Sequence, residues 1–266
     1  GSKRAAEHIA VVAPKDGTTI ALVFPGAIFE PLIIERSKWR YDPSRLEYLG
    51  TADSGTRMCS TMPNAKVKSF DDARREVATI GASAPGGSTY DYPTMLNALT
   101  GTKFKVITGY LGTQETVMAI ERGETHGRCG WSWSSLKGVR YDWVKDKKLN
   151  VFLQMGIEKS PLFPDVPFAT DLAKSPADRQ LLELMFAPMA LSNGFLAPPG
   201  LPAARVAELR TAYSATLADK ELVAEAVKLM QDEPTPTSGA EMARLMEQMY
   251  STPEPIVARL RDILKK

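Results

Sequence analysis

Two junctions in this chain hold the residue types best suited to chemistry. One is Gly81-Ala82-Ser83-Ala84-Pro85-Gly86-Gly87-Ser88-Thr89, and the other is Gly109-Tyr110-Leu111-Gly112-Thr113. Each follows a short apolar run and precedes an amphipathic stretch. In open α/β sheets, ligands sit beyond the carboxyl ends of the strands. Free N–H groups and the helix dipole there favour an anion. The small residues Ala82, Gly86, Gly87 and Gly112 let the backbone approach a ligand closely, and Ser83, Ser88, Thr89, Tyr110 and Thr113 add neutral donors. Neither loop carries Lys or Arg, so a bound carboxylate is expected to rest on amides, hydroxyls and water. Glycine-rich turns after strands are also ordinary α/β scaffolding; two in succession are what point to a ligand. Gly26 and Ala27, just after an earlier apolar run, complete the set.

Other chemistry is poorly supported. Gly81-Ala82-Ser83-Ala84-Pro85 is close to the G-x-S-x-G elbow of serine hydrolases, but proline stands at the last position and the chain has only two histidines, His8 and His126. His126 and Cys129 are three apart in a segment that reads as a strand, which would turn them to opposite faces. The histidines and cysteines show no metal-ligand spacing, and no cofactor motif is present. Cys59 and Cys129 are either two buried thiols or one disulfide. Trp131 and Trp133 alternate, so on a strand they would share one face. They are either core or, for one of them, a stacking surface for the ligand.

The elements that must position these residues alternate between apolar runs and helical periodicity, which implies an α/β fold. Helices are expected over 3–12, 70–75 with Ser69 as N-cap, 89–99, 114–122, 203–217, 220–230 and 239–265, the last broken at Pro253 and Pro255. Strands are expected over 18–24 (buried), 46–51, 57–61, 77–80 and 103–108. The 266 residues carry 33 basic against 31 acidic side chains, which excludes a large nucleic-acid footprint. No apolar run is long enough to span a membrane, and no signal peptide is visible at the start.

Ala13-Pro14-Lys15-Asp16-Gly17-Thr18-Thr19 resembles the A-P-D-G-Y-T turn of the substrate-binding proteins of tripartite tricarboxylate transporters, the Bug or TctC receptors. Tyr41-Asp42-Pro43 is similar to their Y-D-P, the Gly81–Thr89 loop to their G-S-x-G-x-G-S, and Tyr110-Leu111-Gly112 to their Y-K-G. Arg122–Gly127 resembles their G-x-V-D turn, with His126 in place of the usual Asp. Phe163–Pro167 resembles P-D-V-P, and Ala197–Pro202 resembles A-P-x-G-T-P. The matches run in order over nearly the whole chain.

The resemblance implies a type II periplasmic binding-protein fold with two lobes and two crossover strands. The lobes would be residues 1–58 with 195–266, and residues 59–194, holding a small di- or tricarboxylate or aromatic acid between them. It further implies a periplasmic monomer that delivers its ligand to membrane permease subunits. A leading strand–loop–helix unit of the family would precede this sequence, and Cys59 and Cys129 would be bridged. The expected role is a receptor and not an enzyme. The alternatives are a hydrolase built on Ser83 or Cys129, or a ligand-sensing module.

Overall fold

The computed structural model describes residues 2–34, 39–53, 55–230 and 235–264. The chain divides into two units, Gly1–Gly55 with Ala187–Arg261, and a second built mainly from the run Thr56–Phe186. The first stretch supplies α1 (Ser2–Val11), β1 (Ala21–Val23), α2 (Pro25–Ile33) and β2 (Glu47–Thr51). The second unit follows with β3 (Arg57–Thr61), α3 (Phe70–Arg75), β4 (Ala78–Gly81), α4 (Ser88–Thr100), β5 (Phe104–Ile107), α5 (Thr113–Glu121), β6 (Gly127–Ser132), α6 (Trp133–Lys145), β7 (Asn150–Met155) and α7 (Pro176–Phe186). The chain then completes the first unit with β8 (Gly194–Ala197), α8 (Ala203–Ala218), α9 (Lys220–Met230), β9 (Thr237–Ser238), α10 (Gly239–Tyr250) and α11 (Glu254–Leu264) as far as Arg261.

In the first unit the strands run β1-β8-β2-β9 and every pair is antiparallel. β1 is an edge strand of three residues with Leu22 exposed. The expected buried strand over 18–24 is therefore shorter and wetter than its apolar composition suggested. Pro25, read as the end of that strand, instead opens α2, where its missing N–H costs nothing. Leu49, Ala197, Leu201 and Val206 form a buried cluster. α10 comes so near β2 that a side chain at Gly239 would collide with the Tyr48 carbonyl.

In the second unit the order is β5-β4-β6-β3-β7, with β4 parallel to β5 and β6, and β3 antiparallel to β6 and β7. α4 connects β4 to β5, and α5 connects β5 to β6. The chain goes from β4 out to β5, then returns across β4 to β6. Connections of one hand then put α4 and α5 on opposite faces of the sheet. The gap between β4 and β6 is the topological switch point, the place where α/β folds of this winding bind ligands.

Local sequence explains the ends of these elements. Ser69 accepts the Asp72 N–H at 3.1 Å while Asp72 accepts the Ser69 N–H at 3.1 Å, a reciprocal cap for α3. α4 stops at Gly101, which sits in the left-handed region at φ 83°. The expected break in the last helix falls beside Pro253, between Tyr250 at the end of α10 and Glu254 at the start of α11. Pro255 does not break the chain again, because it lies in the first turn of α11, where a proline is tolerated.

Candidate ligand-binding site

The two loops singled out in the sequence lie side by side in the second unit. Because β4 and β5 are parallel neighbours, their carboxyl ends open at the same edge, and the backbone stitches the loops together there. Gly109 N donates to Ser83 O at 3.0 Å and Tyr110 N to Ala82 O at 3.4 Å. From this shared edge α4 begins at Ser88 with Gly87 as N-cap, and α5 begins at Thr113 with Gly112 as N-cap; neither cap has a side-chain hydrogen bond. The first N–H groups of a helix have no intrahelical acceptor. Two such starts at one edge bring free N–H groups together with no Lys or Arg in either loop, and with one carboxylate, Asp91 or Glu115, in each first turn.

The loop side chains shape this rim more than they line it. Ser83 N donates to Thr89 Oγ1 at 3.1 Å, and the two hydroxyls stand 3.2 Å apart. Ser88 Oγ donates to Gly130 O at 3.1 Å. Gly86 N donates to Asp91 Oδ1 at 3.0 Å, so Asp91, which the sequence reading passed over, ties down the glycine turn. Ala82 and Thr89 are buried, whereas Ser83, Gly86, Gly87 and Ser88 are part-exposed. In the second loop Leu111 N donates to Glu115 Oε2 at 2.8 Å, and Thr116 Oγ1 donates to Gly112 O at 2.8 Å. The Tyr110 hydroxyl donates to Glu124 at 3.3 Å. Burial and the Glu124 carboxylate both hold the phenol above its ordinary pKa. Tyr110, Gly112 and Thr113 are part-exposed.

The tryptophans separate. β6 ends at Ser132, and Trp133 is the first residue of α6, capped by Ser132 accepting from Ser135 N at 3.1 Å. The expected common strand face is thus corrected, because a serine cap turns the chain into a helix between them. Trp131 is buried among Met58, Val117, Ile120, Leu136 and Trp143, and its indole N–H donates to Ser60 at 3.2 Å. That is a core position. Trp133 is part-buried and meets Phe163 edge-on at 4.8 Å. In the first unit Gly26 and Ala27 lie in the opening turn of α2; Ala27 is buried, and its carbonyl accepts the Tyr41 hydroxyl at 2.5 Å.

Cys59 and Cys129 face each other on β3 and β6, both fully buried, and form a disulfide. Cys129 is therefore no nucleophile. His126 lies just before β6, and its Nδ1 is 2.9 Å from the Thr79 N–H, so it is not paired with Ser83. Among the described residues no cluster of His, Cys, Asp and Glu could hold a metal ion.

Two features of β6 and one just before it escaped the sequence reading. Gly130, at φ 78°, has no partner on β3, because Cys129 pairs with Cys59 and Trp131 with Met58. This is a β-bulge, and a side chain there would lie 2.6 Å from the Ser88 carbonyl at the start of α4. Arg128 is 7% exposed, and neither Nε nor Nη1 has a hydrogen-bond partner. Its guanidinium carbon lies 5.5 Å from the Trp131 ring centroid, and burial alone pushes its pKa down to about 10. Thr125, just before the strand, is also buried, with its hydroxyl unpartnered. A cation inside an otherwise apolar strand was the available signal for Arg128.

No family profile matches the chain, and neither does any curated protein. Solved structures do. Rpa4515 of R. palustris, solved with adipate, is 18% identical with a TM-score of 0.67, covering 100% of this chain and 84% of that one. A TctC solute-binding protein from Polaromonas, solved without ligand, is 15% identical with a TM-score of 0.70, covering 97% and 84%. MatC of Rhodopseudomonas palustris, with bound malate, is 18% identical with a TM-score of 0.65, covering 99% and 85%. At these identities the likeness establishes the fold: the chain has the α/β fold of TctC-type periplasmic solute-binding proteins, as the sequence motifs implied.

Proposed function

We propose that the chain is a receptor of the tripartite tricarboxylate transporter type that captures a small carboxylate and is not an enzyme. The observation that carries this reading is the joined pair of loops, which sets the uncapped starts of α4 and α5 at one edge of the sheet. Such an edge presents amide donors to an anion and offers no nucleophile–base pair to attack it. The structural neighbours solved with adipate and malate support the same ligand class. In this reading the contacts come from Ala82, Ser83 and Gly86–Thr89 on one loop and Tyr110, Gly112 and Thr113 on the other. Gly26 and Ala27 of α2 are further candidates, and Trp133 is the indole available to report on the ligand. Delivery to membrane permease subunits, a periplasmic location and a monomeric state belong to the same proposal.

Native mass spectrometry of the purified chain, followed by calorimetry with malate, adipate and related dicarboxylates, tests it. A retained carboxylate or saturable heat is expected. Gly87→Val, which would set a branched side chain within 2.9 Å of Ser83 Oγ and 3.3 Å of the Ala84 carbonyl, should abolish that heat while far-ultraviolet dichroism stays unchanged. Unaltered affinity in that variant would refute the loop assignment. Turnover of activated esters blocked by Ser83→Ala would refute the receptor reading.

A further inference from the structure

Arg128 stands where the two loops lack a charge. Gly127 pairs with Ile80, so the next residue, Arg128, lies beside Gly81, the last residue of β4, at the switch point between the two strands. The bulge at Gly130 shifts the alternation of β6, which brings Arg128 and Trp131 to the same face, with the guanidinium carbon 5.5 Å from the indole centroid. The corner at Gly81 is closely packed and has no room for a side chain on that residue. A Cβ there would lie 2.6 Å from Thr116 Cγ2, 3.4 Å from Thr125 Oγ1 and 3.5 Å from the Tyr110 ring. Buried charges in proteins are paired or bound to something. Here two guanidinium nitrogens and the neighbouring Thr125 hydroxyl are buried without partners, and no carboxylate of the described residues shifts the arginine's titration. A planar guanidinium is the side chain best matched to a carboxylate.

We infer that Arg128 is the charge-reading residue of this receptor, and that it takes one carboxylate of a dianionic solute at the β4–β6 switch point while the helix starts of α4 and α5 hold the rest. The inference rests on the carboxylate-receptor reading and adds the ligand's anchor and its specificity. Monoanions that reach only the loops should bind more weakly than dianions.

The test uses the full chain as wild type, Arg128→Met and Arg128→Lys, with calorimetry and thermal unfolding in malate, adipate, sulfate and phosphate. Methionine keeps the volume and removes the charge, so its unfolding midpoint without ligand should equal or exceed that of wild type. Its affinity for the dicarboxylate that wild type binds should fall about 100-fold, with Arg128→Lys intermediate. Arg128→Met binding within threefold of wild type overturns the inference and leaves the receptor reading intact. So does a lower midpoint without ligand, which would mark the arginine as a structural group. Binding of sulfate or phosphate alone overturns the carboxylate assignment. A wild type that answers none of the four anions removes the receptor reading itself.

Discussion

The disulfide offers the sharpest quantitative test. Cys59 and Cys129 close a loop of 70 residues, which contains β4, α4, β5 and α5 and thus both candidate loops. Chain-entropy reasoning assigns a cross-link over such a span about 4 kcal/mol, through restriction of the unfolded chain. Replacing both cysteines with alanine removes that restriction and leaves only a small apolar void between buried residues. For a chain of this size each kcal/mol moves the thermal midpoint by roughly 2–4 °C, so the double variant should melt about 10 °C lower. Three of the four tryptophans, Trp131, Trp133 and Trp143, lie in the second unit, so fluorescence reports chiefly on that unit. Wild type and the double variant should be melted without reductant and wild type again with it, and the reduced wild type should match the variant. Thiol labelling must be done on unfolded, unreduced protein, because burial would protect free cysteines as well. Labelling of that sample refutes the bridge, and a midpoint within about 1 °C of wild type refutes the entropy argument.

Other perturbations probe the elements around the site. Gly130→Ala forces a side chain into a left-handed backbone and against the Ser88 carbonyl 2.6 Å away; a loss of about 2–4 kcal/mol in denaturant unfolding is expected. Ser69→Ala removes the reciprocal cap of α3 and should cost about 1 kcal/mol by the same measurement. Tyr92 is buried, and desolvation pushes its pKa up to about 12. The unfolded chain loses this proton near pH 10 while the folded chain keeps it, so stability should fall between pH 10 and 12 by up to about 1.4 kcal/mol per pH unit. Tyr92→Phe should flatten that slope in pH-dependent denaturation, and an unchanged slope would refute the assignment.

The site-bearing plan of the second unit was legible because its punctuation is local. Glycines and hydroxyls after each short strand, and a serine before Phe70, mark turns and helix starts whatever surrounds them. Reading failed where the pattern depends on long-range pairing. The alternation of Trp131 and Trp133 assumed an unbroken strand, yet Gly130 bulges and Ser132 caps a helix, and neither shows in a count of every second residue. Apolar composition made 18–24 look interior, but whether a strand has one neighbour or two is decided by residues about 170 positions later. Arg128 escaped notice because it lies outside both loops, on β6, the strand on the other side of β4. A disulfide between Cys59 and Cys129 could not be told from two free thiols by spacing; the family motifs suggested it, and the pairing of β3 with β6 supplies it.

In the first unit β8 lies between β1 and β2, although the chain makes those two strands long before it reaches Gly194. As the polypeptide emerges from the ribosome or a translocation pore, the whole run Thr56–Phe186 is available to fold while β1 and β2 still expose unpaired backbone. Those early strands must stay unaggregated until their keystone arrives. Shortening the chain between Phe186 and Gly194 should therefore spare the second unit and leave the amino-terminal segment prone to sticking to itself or to a chaperone.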